Sequence, residues 1–433
     1  MDASVVGVIG ILMLVGILFT RLPVAITMTF VGFLGFSYLV TPSASLRLLA
    51  TDFYDIFSSY NLTVAPLFIL MGQIAFHSGI SQRLFNCAYK IIGNTRGGLA
   101  IATIAASAGF ASICGSTNAS AATMATVALP EMKKYRYDMA LSTGTVAAGG
   151  TLGILIPPST VFIVYGIMTE QSIGSLFLAG ILPGILLSFL FIFTVYIIVR
   201  IHPEMGPAGP KTSWMEKIKS LGSVFEMLII FTLVMLGLFK GFFTPTEAGA
   251  AGAGITLVVA TLRGMISRKA FMLAVEDTVR VSCMVLTIIA GATLFGHFLA
   301  VTRIPYDLAA MVQTLPLPGW TIIGLIIFIY FIGGCFMDSL AMILLTIPIF
   351  FPVVISLGYD PIWFGVIIVL VGEMGVITPP VGINVYVVKG VAGNVPLHLI
   401  FKGCIPFVIA LVVCNALLIL FPQIALFLPN FFN

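Results

Sequence analysis

The fold class this sequence predicts is an all-α polytopic membrane protein built as two inverted-topology repeats. Each repeat carries a re-entrant helical hairpin and a broken transmembrane helix. Three observations lead there. Of the 433 residues, 60% are hydrophobic and only 8% charged, against about 25% charged in a soluble domain. The basic residues cluster in a few short segments. Unusual features of the first half recur 222 residues later.

Apolar runs of about 20 residues, the length that crosses a bilayer core, extend from Val5–Thr20 to Phe401–Phe421. The first, Met1–Thr20, opens with Asp2 and lacks a basic start and a small-residue cleavage site. It reads as a span rather than a signal peptide. Six cysteines lie far apart within apolar runs, with no C-x-x-C pair, and read as small buried hydrophobes. No G-x-x-x-x-G-K-[ST] loop is present, so no nucleotide site is expected. The four histidines show no metal-ligand spacing, which argues against a membrane metalloenzyme. A net charge of +4 says little about partners, and no nucleic-acid partner is expected.

Charge sets the path. Lys and Arg cluster at Arg83–Arg96, Lys133–Arg136, Arg200–Lys219 and Arg263–Arg280, and the positive-inside rule puts these in the cytoplasm. The chain then starts outside, reaches Arg21 inside and returns to an outer loop at Thr41–Asp55. Gly97–Pro130 is apolar with basic flanks at both ends, so it enters and leaves on one side. Its two arms of about 15 residues are each too short to span at 1.5 Å per residue. The break lies within Gly109–Asn118. Met139–Met168 crosses outward, interrupted at Pro157-Pro158, and Ile173–Val199 returns. Val224–Phe243 and Ala248–Leu262 cross out and back, and Val281–Ala300 crosses out. Gly319–Pro352 enters from outside as a second hairpin. Pro361–Val388 crosses inward, interrupted at Pro379-Pro380, and Phe401–Phe421 ends outside. Both termini are thus expected in the periplasm of a bacterial inner membrane. Arg47, Lys240 and Arg303 fall outside, and the other 17 of the 20 Lys and Arg fall inside.

At an offset of 222, Pro157-Pro158 meets Pro379-Pro380, Gly150 and Gly153 meet Gly372 and Gly375, and Tyr137-Asp138 meets Tyr359-Asp360. Proline pairs inside a span are disfavoured, since proline removes a donor and clashes with the preceding turn. Matched loops carry opposite charge bias, so the halves are inverted. The expected units are repeat 1 at 1–200 (hairpin 97–130, broken helix 139–168), a cytoplasmic linker at 201–221, and repeat 2 at 222–433 (hairpin 319–352, broken helix 361–388). Such repeats build secondary transporters. A continuous channel has no need of two inverted hairpins.

Broken backbone at membrane depth needs protein, water or ions to satisfy it. The first tip offers Ser112, Gly115, Ser116, Thr117 and Asn118, facing the break Gly149–Thr160. The second offers Gly333–Ser339, facing Gly372–Asn384. Neutral carbonyl and hydroxyl oxygens suit a hard cation such as Na⁺. Asp338, at the offset of Ser116, and Glu373 are the acids placed in the second repeat's broken elements, and buried acids in lipid are functional candidates. The run Glu247–Gly254 is a small-residue helix face suited to close packing.

Leu152–Ser159, Phe336-Met337-Asp338 followed by Pro348 and Pro352, and Thr378–Gly382 resemble the large membrane subunit of TRAP (tripartite ATP-independent periplasmic) transporters, across essentially the whole chain. The resemblance implies an elevator-type carrier that takes up an organic acid, of the sialic acid or C4-dicarboxylate type, driven by Na⁺. It also implies two partners, a small four-helix membrane subunit and a periplasmic substrate-binding protein, within a lipid membrane. The Na⁺ ligands expected in repeat 1 are Ser112, Gly115, Ser116, Asn118, Gly153 and Pro157. Those in repeat 2 are Gly334, Asp338, Gly375, Thr378 and Pro379. Asn118, Ser159, Asp338 and Asn384 are expected at the substrate. The competing reading is a stand-alone proton- or Na⁺-coupled carboxylate carrier of the same superfamily.

Overall fold

The computed structural model describes residues 2–20, 22–210, 212–314 and 316–432, apart from the side chains of Ser223, Glu226 and Met227. Arg21 and Lys211, assigned above to the cytoplasmic side, lie outside the described residues, as does Met1 of the first span. Every regular element among the described residues is helical.

The first half runs α1 (Ala3–Leu18), α2 (Val24–Leu39), α3 (Pro42–Ser58), α4 (Val64–His77), α5 (Ile80–Ile92), α6 (Gly98–Cys114), α7 (Thr117–Lys134), α8 (Met139–Leu155), α9 (Thr160–Met168) and α10 (Ile173–Ile201). The second half runs α11 (Trp214–Phe239), α12 (Pro245–Leu262), α13 (Arg268–Thr302), α14 (Ile304–Thr314), α15 (Gly319–Gly334), α16 (Ser339–Ser356), α17 (Pro361–Gly375), α18 (Ile383–Ala392), α19 (Leu397–Leu420) and α20 (Gln423–Phe432). Among the described residues, the run α8–α9 and helices α10, α13, α16 and α19 are long and apolar enough to cross a membrane.

Several segments read above as loops are helices. Thr41–Asp55 falls mostly in α3, which Thr41 caps by accepting from the Ala44 N–H at 3.2 Å, with Pro42 at its first position. Much of Arg83–Arg96 is α5, and Arg263–Arg280 runs into the first turns of the 35-residue α13. These segments mix polar and apolar side chains, so they are helices with one wet face, and composition alone masks them. A bend of 58° between Pro42–Ser58 and Asn61–His77 was not anticipated either.

The interior is built around α8 and α17. Every residue from Ala140 to Leu155, and from Trp363 to Gly375, is buried. Helix α8 packs against α6, α7 and α19, and α17 against α15, α16 and α19. Around them stands a frame in which α13 packs on α2 and α4, and α12 on α4. The small-residue face of α12 explains the last contact: Gly249 sits over Phe68 and Gly252 over Met71, where a larger side chain would hold the helices apart. The acid that opens this run, Glu247, caps its own helix instead, accepting from the Thr244 N–H at 2.8 Å. Large apolar side chains such as Leu12, Phe189, Phe225 and Ile409 are exposed on the outside, as on a surface solvated by lipid. Five cysteines are buried as expected, while Cys283 is exposed on α13.

Candidate functional site

The first hairpin, α6 and α7, turns on two residues. Gly115 takes φ 60°, and a Cβ there would lie 2.7 Å from the Pro158 carbonyl oxygen. Conformation and space both exclude a side chain. Ser116 follows and accepts from the Ala119 N–H at 3.4 Å, a cap worth about 1 kcal/mol. At the hairpin's base, the Leu99 N–H donates to the Tyr137 hydroxyl at 3.2 Å. The run α8–α9 breaks over residues 156–159. The Thr160 hydroxyl, at the start of α9, donates to the Gly115 carbonyl at 2.9 Å. The hairpin tip is thereby stitched to the second half of the broken helix.

The second half repeats this design with different atoms. Helices α15 and α16 turn over residues 335–338, and Asp338 accepts from the Leu340 N–H at 3.1 Å. The Cys335 carbonyl accepts from the N–H groups of Val381 and Gly382 at 3.3 and 3.5 Å, which ties this tip to the start of α18. Inside the hairpin, the Thr346 hydroxyl pairs with that of the buried Tyr330.

The two tips meet. The Glu373 carboxyl, on α17, accepts from the Thr117 hydroxyl of the first hairpin at 2.9 Å and from the Ser339 hydroxyl of the second at 2.8 Å. The Asn118 carboxamide lies beside the Asp338 carboxylate, and Asn118 Oδ1 is buried with no partner. Both tips open on one cavity of about 1220 Å³, lined by Ser116, Asn118 and Thr160 from the first half and by Asp338, Ser339 and Val381 from the second. Leu18 of α1 lines it too, with Ala25 and Val285 of the frame. Such a site offers a carboxylate, the Asn118 side chain and the N-termini of α7 and α16, whose N–H groups favour negative charge.

A family model described as the DctM component of the tripartite ATP-independent periplasmic transporter matches residues 11–424. The chain belongs to this TRAP transporter family. It is 37% identical to the C4-dicarboxylate TRAP transporter large permease protein DctM of Pseudomonas aeruginosa, over 89% of this chain and 90% of that one. To the sialic acid TRAP transporter large permease protein SiaM of Vibrio cholerae it is 33% identical, over 96% and 97%. The ectoine TRAP transporter large permease protein TeaC of Halomonas elongata is 29% identical over 96% and 97%. Among solved structures, the fold is similar to the Alcanivorax borkumensis YdaH transporter, with a TM-score of 0.65 at 14% identity over 88% of this chain and 89% of that one. As a member of the TRAP family the chain is a secondary transporter subunit and not an enzyme.

Within this TRAP permease, the cavity collects only part of the expected set. Ser116, Asn118 and Asp338 line it. Gly153, Gly334 and Gly375 lie behind it at close backbone approaches: Gly153 against the Ser116 carbonyl, Gly375 against Gly334. Gly115 forms the first turn, and Pro157 and Pro379 each begin a cis Pro-Pro step in the two breaks. The Thr378 hydroxyl donates to the Met374 carbonyl at 2.6 Å. Ser112 lies apart: its hydroxyl donates to the Gly109 carbonyl at 2.7 Å, and it faces a small separate cavity beside Pro158, Ile230 and Thr256.

Of the expected substrate residues, Asn118 and Asp338 face the cavity and two do not. Ser159 is fully buried as the cap of α9, accepting from the Phe162 N–H at 3.3 Å. Asn384 is fully buried and donates to the Ala147 carbonyl at 3.2 Å, tying α18 to α8. Thr117 was noted only as a tip hydroxyl and Ser339 only as the end of the second tip. Their matched positions one residue past the matched caps were the signal that pairs them. The contacts His77–Asp277 at 2.9 Å and His297–Asp52 at 3.5 Å, which join α13 to α4 and α3, escaped the sequence because their members lie 200 and 245 residues apart.

Proposed function

We propose that this large permease subunit carries out Na⁺-coupled uptake of an organic acid handed over by a periplasmic substrate-binding protein, working beside a small four-helix membrane subunit. The observation that carries the proposal is the convergence of both hairpin tips on one cavity, with Thr160 at the start of α9 and Val381 of the second break beside them. An organic carboxylate and the Asp338 carboxylate repel each other in a low-dielectric cavity. A cation between them removes that repulsion, and the neutral oxygens of Ser116 and Asn118 with the tip and break carbonyls are donors suited to Na⁺. The N-termini of α7 and α16 then serve the acid. Relatives named for C4-dicarboxylate and sialic acid support substrates that carry carboxylates.

The inverted repeat and its two units at 1–200 and 222–433 belong to the same proposal. It is supported by elements that recur at the offset: α7 starts at Thr117 and α16 at Ser339, and α8 starts at Met139 and α17 at Pro361. Their caps recur too, Asp138 accepting from Ala140 and Leu141, and Asp360 from Ile362 and Trp363. In the elevator reading, hairpins and broken helices move together against the frame of α2, α4, α12 and α13.

The test is uptake into proteoliposomes holding both membrane subunits, with a binding protein loaded with succinate or sialic acid. Uptake is expected to require an inward Na⁺ gradient. Equal uptake when K⁺ replaces Na⁺ under a proton gradient would transfer the coupling to protons and overturn the Na⁺ reading.

A further inference from the structure

We infer that Glu373 is a positioning residue that locks the two hairpin tips to each other, so that order imposed on one tip is transmitted to the other. Thr117 is the first residue of α7 and Ser339 the first of α16. Each sits directly after the residue that caps its helix. Their hydroxyls donate to the two different oxygens of one carboxyl, Thr117 to Oε2 and Ser339 to Oε1. Glu373 is 1% exposed and does not line the cavity, whereas Thr117 and Ser339 do. It therefore touches cargo only through the two hydroxyls it holds.

The chemistry of the position is specific. A carboxyl group has two acceptor oxygens, and both are used. A carboxamide has one oxygen and a nitrogen that cannot accept, so one hydroxyl would lose its acceptor. Because α17 carries Glu373 and also packs on α15 and α16, the lock includes the second broken helix. Tip 1 cannot rotate about its Gly115-Ser116 turn without pulling Thr117 off Glu373. An ion that orders one tip lowers the ordering cost at the other, which is positive coupling between two sites. The last step rests on the Na⁺ reading above, but the mechanical lock does not.

Hydrogen exchange on the two-subunit complex in lipid nanodiscs tests the lock without any ion. Thr117→Val removes the first hydroxyl and keeps its shape. We expect amides 340–343, in the opposite hairpin, to exchange about tenfold faster, the scale set by losing one hydrogen bond to a carboxyl. Ser339→Ala is expected to do the same to amides 119–122. Amides of α13 should not change, and Thr117→Ser, which restores the donor, should match the unaltered protein. Unchanged exchange across the tips in folded Thr117→Val overturns the lock. So does equal acceleration in Thr117→Ser. If Thr117→Val does not fold, Ser339→Ala alone decides by the same criterion. In uptake assays the lock predicts a Na⁺ Hill coefficient that falls toward one in Thr117→Val. Uptake that never depended on Na⁺ in the unaltered protein would sink the ion reading, and exchange would still decide the lock.

Discussion

Asp338 combines two separable features. Its Oδ2 accepts from the Leu340 N–H, a cap worth about 1 kcal/mol. Its charge faces the cavity beside Asn118, where an unpaired carboxylate costs several times more, on the order of several kcal/mol. Asp338→Ala is expected to abolish transport while membrane insertion and assembly with the small subunit persist. Asp338→Asn keeps a capping oxygen and removes the charge, so it should also stop transport, and Na⁺ affinity measured by calorimetry should fall with it. Normal transport by Asp338→Asn would reduce the residue to a cap. Lost transport with unchanged Na⁺ affinity would move it to the substrate side. Its neighbour in space, Glu373, shows the limit of reading single residues. The sequence marks it as a buried acid, but its role is set by Thr117, 256 positions away.

Between elements, the tightest constraint is where a hairpin meets a broken helix. A Cβ on Gly375 would lie 2.3 Å from the Gly334 carbonyl carbon and 2.7 Å from the Cys335 nitrogen. Both neighbours are backbone and cannot turn aside, so Gly375→Ala has to push α17 off α15. The expected loss is about 1–3 kcal/mol, read as a lower thermal unfolding midpoint in detergent. Gly390, on α18, is the control: a Cβ there meets nothing within 4 Å. Gly390→Ala is expected to leave the midpoint unchanged or raise it, since alanine is favoured over glycine inside a helix by about 1 kcal/mol. Equal losses at the two positions would contradict the close-approach argument. At this scale the interruptions of helix at 115–116, 156–159, 335–338 and 376–382 fall where Gly and Pro disrupt apolar periodicity. The amphipathic α3, α5 and α14 and the 58° bend before α4 were hidden. Their mixed composition resembles that of loops, and both arms of the bend pack on α13, which is distant in the sequence.

Across the whole molecule, the proposed inverted repeat makes a prediction about sides. Lys134 ends α7 and Gly358 follows α16, so each lies just beyond the second arm of its hairpin. Cysteines placed there one at a time, in a background without the exposed Cys283, should label from opposite faces of the membrane: position 134 from the cytoplasm and position 358 from the periplasm. Labelling of both from one face would rule out inversion. The same frame accounts for the two His–Asp pairs. His77–Asp277 and His297–Asp52 join opposite stretches of α13 to α4 and α3.

Composition by itself determined a polytopic helical membrane chain, and the motifs around Pro157-Pro158 and Pro379-Pro380 pointed to its family. These properties are legible because each is local: apolar run length and helix-breaking residues act within a few turns of where they stand. The tertiary structure alone decided which of the nominated oxygens share a cavity. It put Asn118 and Asp338 side by side, turned Ser112 to a different space, and enclosed Ser159 and Asn384 as internal ties. A helix face is chosen by what packs against it, and here the partners come from the other half of the chain. That is why Thr117 and Ser339 became the two hydroxyls of a single carboxyl, a pairing that no local pattern encodes.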